Sequence, residues 1–248
     1  MKIIISPAKK MNTDTESLES IGLPVFIDKT NQILAWLKSK SNEELKELWK
    51  CNDKIAKQNI ERLETMDLYK HLTPAILVYE GIAYQYMAPA VFEDGHFDYV
   101  QKHLRILSAF YGSLKPMDGV TPYRLEMQAK PRIGNTKNLY EYWGDLLYKD
   151  VRDESGIIIN LASKEYSKSI EKYLSAEDTY ITITFCELVN GRLVTKGTYA
   201  KMARGEMVRY MAENGIENPV KIKCFNRLGY IYRDDLSSET EYVFERRL

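Results

Sequence analysis

Cysteine is scarce in this chain, and its three residues, Cys51, Cys186 and Cys224, stand far apart. An odd, dispersed set excludes a disulfide framework and a paired-cysteine zinc site, so the thiols are expected to be reduced and structural. Histidine is equally sparse: His71, His96 and His103 lack the spacing of a ligand pair, and no metal is assigned. Net charge is absent as well, because 35 Lys and Arg balance 35 Asp and Glu. Long apolar runs are missing. None approaches a membrane span, and the run opening MKIIISPAKK is too short for a signal-peptide core, so a cytoplasmic location without membrane contact is expected. The chain has no G-x-x-x-x-G-K, no G-x-G-x-x-G and no H-E-x-x-H motif, and no cofactor is assigned. Repeats, low-complexity tracts and linkers are also missing, which leaves one domain over residues 1–248 as the simplest organisation.

What is present belongs to an ordinary globular protein: 44% apolar residues, 28% charged and 18 tyrosines, in a chain long enough for a large core. Lys2 to Ile5 reads as a buried strand ended by Ser6-Pro7. Residues 13–28 read as a polar surface excursion, and Asn31 to Lys38 as a short helix. Glu43 to Met66 is amphipathic, with Asn52-Asp53 placed to break it into a helical hairpin. Ala75 to Tyr79 is a second apolar run, ending at Glu80-Gly81. Glu93 to His103 reads as a helix that feeds the apolar Leu104 to Leu107. Asn138 to Asp153 carries a helical stripe despite Gly144. Ile157 to Leu161 reads as a strand, followed by a helix from Lys164 to Leu174 with Ser163 as its N-cap. Tyr180 to Cys186 alternates as a strand, and Asn190-Gly191 joins it to Arg192 to Val194 as a tight hairpin. Thr198 to Glu213 is a helix stopped by Asn214-Gly215. Leu228 to Tyr232 and Thr240 to Glu245 finish the chain as strands. Early alternation of strands and helices with later hairpins predicts an α/β (mixed α+β) fold, a mixed central sheet flanked by helices.

The stretch Ser108 to Met127, SAFYGSLKPMDGVTPYRLEM, combines turn residues with charges of both signs and is expected to be an ordered functional loop. Charge is also unevenly spread. Residues 101–137 hold seven Lys and Arg against two acids, and residues 196–233 hold eight against three. Folded together, these windows would make a basic cleft suited to phosphates. Four apolar runs end in Ser6, Gly81, Ser108 and Ser163, and parallel strands bind ligands beyond such ends. Ser6 to Lys9, Ser108 to Lys115 and Ser163 to Glu165 are therefore expected to converge on an anion; the plain alternative is that serine is a common cap. Lys201 and Arg204 share one helix face beside Gly205, either facing an anion or solvated on the outside. Arg124 and Glu126 could pair with each other. Ser6, Ser108 and Ser163 lack an evident histidine base, which argues against triad hydrolysis, whereas lysine-assisted chemistry at Lys9 stays open.

These residues carry a resemblance. Ile5-Ser6-Pro7-Ala8-Lys9, the Ser108 to Met127 stretch, Asn138-Leu139-Tyr140 with Trp143-Gly144, Asn160 to Ser163 with Glu165-Tyr166, Lys201 with Ala203-Arg204-Gly205, and Gly229-Tyr230 resemble, in order, the YaaA-type peroxide-stress proteins. The resemblance implies a single-domain fold peculiar to the family with a positively charged cleft. It also implies protection against hydrogen peroxide, linked to limiting free iron and to DNA repair, and binding of duplex or branched DNA through the cleft and a helix-hairpin-helix element. Residues 43–66, where that element should lie, contain no glycine. The leading expectation is a DNA-binding stress protein whose anion contacts are Lys9, Lys115, Arg124, Ser163, Lys201 and Arg204. The rival is an enzyme acting on a small anionic or nucleotide substrate in the same cleft, with Ser6, Lys9, Tyr123 or Glu126 in catalytic roles. Convergence of the cations with Glu126 in a narrow pocket would favour the rival, and an open groove would favour DNA.

Overall fold

Apolar runs without alternation suit strands covered on both faces, and KIII, LRILS and IIIN become the centre of the main sheet in the computed structural model, which describes residues 1–13 and 18–247. The sheet strands are β1 (Lys2–Ile5), β2 (Leu104–Ser108), β3 (Gly112–Leu114), β4 (Ile157–Asn160), β5 (Thr179–Val189), β6 (Arg192–Val194), β7 (Tyr230–Tyr232) and β8 (Glu241–Arg246). Their order is β7-β8-β5-β4-β1-β2-β3, with β6 paired to the end of β5. The five inner strands β8, β5, β4, β1 and β2 are all parallel, while β3, β6 and β7 pair antiparallel. The fold is thus a single-domain α/β structure with a mixed sheet flanked by helices, as the order of elements predicts. Helices α1 (Ile27–Lys38), α2 (Asn42–Trp49), α3 (Asp53–Thr65), α4 (Ile82–Met87), α5 (Asp94–His103), α6 (Leu139–Trp143), α7 (Leu146–Val151), α8 (Lys164–Glu171) and α9 (Gly197–Glu213) complete it.

Local chemistry explains most boundaries. Asn190 (φ 51°) and Gly191 (φ 76°) form the left-handed pair that a two-residue hairpin demands. Ser41 and Glu44 make a reciprocal capping box on α2, and the Asn52 side chain caps α3 by accepting from the Ile55 amide at 3.0 Å. Between these helices Lys50 takes the left-handed conformation, φ 45°, so the hairpin turns without glycine. Ser163 is the N-cap of α8, although its side chain makes no capping bond.

Three expectations need correction. Ala75 to Val78 is a buried single helical turn between short bridging pairs, and no strand of the main sheet; a short apolar run cannot distinguish the two by periodicity. The Asn138 to Asp153 stripe is two helices, because Gly144 adopts φ 53° and ends the first. Ser108 to Met127 is not one exposed loop. Its first part turns from β2 into β3 and is almost wholly buried, with the Trp143 indole nitrogen donating to the Ala109 carbonyl at 3.0 Å. Of the polar excursion expected over residues 13–28, residues 14–17 lie outside the described residues.

Asp118 closes the turn after β3 by accepting from the Lys115 amide at 2.8 Å, and burial pushes its carboxyl up to about 6 against the opposing pull of that bond, Lys115 and Arg105. A carboxyl raised above its unfolded value of 3.8 favours the fold while protonated, and that stability is lost as pH rises through about 6. Unfolding free energy should therefore fall by roughly 2–3 kcal/mol between about pH 4 and 6 on account of this group. Urea titrations across that range should show Asp118→Asn with the slope removed; an unchanged slope would refute the assignment.

Candidate functional site

Parallel strands β1 and β4 lie side by side, and β2 lies on the other side of β1, so the chain leaves β1 in one direction and later returns to its opposite edge. Such a reversal opens a crevice beyond the carboxyl ends of the strands. Here the ends are tied together: Ser6 Oγ donates to Ser163 Oγ at 3.1 Å and accepts from the Ser163 amide at 2.8 Å. The Tyr84 hydroxyl donates to the Ser6 carbonyl at 3.0 Å. Ser6 is thereby a structural latch between two strand ends, and no histidine lines the cavity beside it.

That cavity holds about 410 Å³. Its walls come from four places: the turn after β1 (Ser6 to Lys10), the start of α4 (Glu80 to Tyr84), the segment Tyr123 to Glu126, and the turn into α8, faced by Lys201 and Arg204 of α9. The sequence-predicted Ser6, Lys9, Tyr123, Arg124, Glu126, Ser163, Lys201 and Arg204 all meet here. Lys115 does not. It follows β3, which runs antiparallel to β2 and carries the chain away from the strand ends, so its exposed side chain lies toward Lys2 and Arg105. Ser108 is also off the wall, fully buried behind Tyr123. Six of the fifteen cations in the two basic windows are paired away from the cavity: Lys102 with Glu217, Arg105 with Asp150, Lys196 with Glu187, Arg209 with Glu213, Arg227 with both Glu206 and Glu213, and Arg233 with Asp235 and Glu245.

Glu126 is the hub of the cavity charges. One carboxylate oxygen meets Lys9 Nζ at 2.8 Å and the other meets an Arg124 terminal nitrogen at 2.9 Å. Lys10 pairs with Glu80 at the rim. By contrast, Lys201 and Arg204 enter no ion pair among the described residues, and Arg204 Nε is buried with no hydrogen-bond partner. Burial pulls the Arg204 guanidinium pKa down, yet arginine stays charged at neutral pH. Tyr123 hydrogen-bonds to Ser108 at 2.7 Å and to Tyr79 at 3.0 Å, and burial pushes its phenol up to about 12. The Tyr84 and Tyr166 phenols are also held well above the usual range by burial. All three remain protonated at neutral pH, so none is a phenolate base, and the Tyr84 and Tyr123 hydroxyls are already bound to Ser6, Ser108 and Tyr79.

Sequence reasoning missed Lys10, Glu80, Tyr84 and Tyr166 as wall residues, while Glu165 lines the cavity together with Ser163 as expected. Each neighbours a residue that was singled out, but only the approach of α4 to α9 shows that they face one space. That approach is exceptionally close: a Cβ at Gly205 would lie 1.8 Å from the Ala83 carbonyl oxygen. Gly205 thus lets the helix bearing Lys201 and Arg204 press onto α4.

A mixed α/β domain with a charged cavity at its strand ends defines the structural class. The chain belongs to the family described as peroxide stress protein YaaA, whose model matches residues 1–236. It is 73% identical to a UPF0246 protein of Agathobacter rectalis, with all of both chains covered. It is 57% identical to a UPF0246 protein of Lachnoclostridium phytofermentans, over 98% of this chain and 96% of that one. With a UPF0246 protein of Pediococcus pentosaceus it shares 50% identity over 98% and 97% of the two chains. The family supports the peroxide-stress role expected from the sequence. Among the described residues no helix is long and apolar enough to cross a membrane.

Gly205→Ala should force α9 off α4 and cost about 1–3 kcal/mol by overpacking. Gly95→Ala in α5, where an added Cβ meets nothing within 4 Å, should be neutral or stabilising by up to about 1 kcal/mol. Chemical unfolding of both variants checks the contrast.

Proposed function

We propose that this peroxide stress protein acts by binding a small anionic molecule in the cavity at the strand ends, with Lys201 and Arg204 as its anion contacts. The supporting observation is Arg204: a half-buried side chain on the cavity wall, paired with no carboxylate among the described residues, whose Nε is shut off from water without a hydrogen-bond partner. An unpartnered buried charge is costly, and a bound anion removes that cost. The size and mixed apolar and polar lining match sites for single small molecules. The cluster of Glu126, Lys9 and Arg124 beside the anion contacts favours an enzymatic use of the site, with Lys9 and Glu126 as the groups that would handle protons. Three free thiols support a reducing, cytoplasmic setting. Direct iron binding is not part of this reading, since the described residues hold no group of three potential ligands. Thermal-shift titrations with inorganic phosphate, succinate and citrate should show stabilisation by at least one anion. Arg204→Gln should weaken that binding about tenfold or more, the worth of a charged hydrogen bond. Absence of any Arg204-dependent response would defeat the proposal.

A second reading, DNA binding, rests on a separate groove. Lys40, Lys50, Lys130 and Arg132 line it together with Glu44 and Glu47, and a small hollow beside it shares Lys50 with the groove and Arg124 and Glu126 with the cavity. The α2–α3 hairpin supplies Lys50 at its turn. Four phosphate contacts, one for each groove cation, predict a loss of about a hundredfold in affinity between about 50 and 200 mM salt. Fluorescence anisotropy with duplex and branched DNA measures this, and salt-independent or absent binding would sink the reading.

A further inference from the structure

The cavity walls carry Lys9, Lys10, Arg124, Lys201 and Arg204 against Glu80, Glu126 and Glu165, five cations and three carboxylates, an excess of two positive charges. The internal pairs locate the excess. Lys10 is neutralised by Glu80, whereas Glu126, shared between Lys9 and Arg124, leaves one positive charge on that trio, which the single charge of Glu165 balances across the cavity. Glu165 is turned to the Gln128 amide, which donates to it at 3.2 Å. Lys201 and Arg204 remain, three residues apart on one face of α9. Side chains at that spacing sit about 5–6 Å apart at Cβ, close enough to grip one polyoxygen group from two sides. A monocarboxylate would leave one charge uncompensated. A dicarboxylate carries enough charge but divides it between two ends of a molecule, whereas both free cations sit on a single helical turn. A phosphate monoester carries between about −1.5 and −2 at neutral pH on one group, and arginine matches it with two parallel hydrogen bonds.

The remaining wall suits an uncharged body. Ile5, Ile82, Leu125 and Leu161 are apolar, and Tyr84, Tyr123 and Tyr166 bring aromatic rings whose hydroxyls stay protonated. The ring edges and faces that reach the cavity suit a planar group, while the Tyr84 and Tyr123 hydroxyls stay committed to Ser6, Ser108 and Tyr79. Resting on the small-anion reading above, we infer that the cavity is specific for a phosphate monoester on a planar body, a nucleoside monophosphate unit, gripped at the phosphate by Lys201 and Arg204. Two sources share this chemistry: a free nucleotide, and the phosphorylated end of a DNA strand.

Isothermal titration of the full-length protein should use a nucleoside 5′-monophosphate, the matching nucleoside, succinate, and short single strands with and without a 5′-phosphate. The monophosphate, or the phosphorylated strand, should bind about tenfold or more tightly than its unphosphorylated counterpart. Lys201→Gln, at an exposed position whose loss leaves the fold intact, and Arg204→Gln should each erase that preference, while Lys168→Gln on the exposed side of α8 should keep it. A preference shown by the free nucleotide alone assigns a metabolite source, and one shown by the strand alone assigns DNA ends; either supports the inference. Succinate binding that depends on Arg204, with no preference for phosphorylated probes, overturns the inference and leaves the small-anion reading standing. If no probe, succinate included, shows Arg204-dependent binding, both fall.

Discussion

Everything in the site depends on β1 lying parallel between β2 and β4. Its three isoleucines are buried, so the strand is held by apolar cover on both faces and by hydrogen bonds along both edges. Ladders of this kind fix register, because a slip of one residue would reverse every side chain. Ser6 and Ser163 consequently arrive at the same height and can bond to each other, and the Leu161 amide still reaches the Ile4 carbonyl at 2.9 Å. The residues beyond the strand ends have no further pairing to make, and their side chains surround a space in place of filling a core.

Much of this architecture was legible. Unalternating apolar runs gave β1, β2 and β4, alternation gave β5, and Asn190-Gly191 gave the hairpin, since each pattern reflects a cover or a backbone conformation that few other structures require. Failures occurred where a local signal has two physical solutions. Ala75 to Val78 is buried as a helical turn because five apolar residues suit either form, and Gly144 breaks a stripe that continues unchanged on its far side. Lys115 shows a different limit. Charge and adjacency to a turn placed it with the other cations, but the direction of β3, which only strand pairing reveals, takes it to the opposite end of the sheet. Glycine is informative in one place and not in the other: the α2–α3 turn manages without it, with Lys50 at φ 45°, whereas Gly205, in the middle of a helix where glycine is unfavourable, marks the close approach of the Ala83 carbonyl.

The electrostatics of the cavity separate two kinds of cation. Those reaching it from the β1 turn and the Tyr123 to Glu126 segment come with their own counter-charges, Glu80 and Glu126. Those reaching it from α9 do not. A helix face turned to solvent tolerates unpaired lysine and arginine at little cost, so charge alone could not tell the sequence reader whether Lys201 and Arg204 mattered. Partial burial is what changes the reading: Arg204 lines the cavity with its Nε shut off from water and from every protein acceptor, which a side chain extended into open solvent would not be.

Glu126, the acid that phosphate gripping alone would not require, gains its meaning from that asymmetry. By occupying Lys9 and Arg124 it prevents five cations from facing one another across a small space, where unscreened repulsion would open the walls. It also leaves the α9 side of the cavity as the region of greatest unmet positive potential. A ligand entering an evenly basic cleft could settle in many orientations. On the small-anion reading, an anion entering this cavity would be drawn to α9, and the rest of the molecule would lie along the apolar part of the wall. The same carboxylate that lowers the overall charge of the cavity therefore orients whatever binds there.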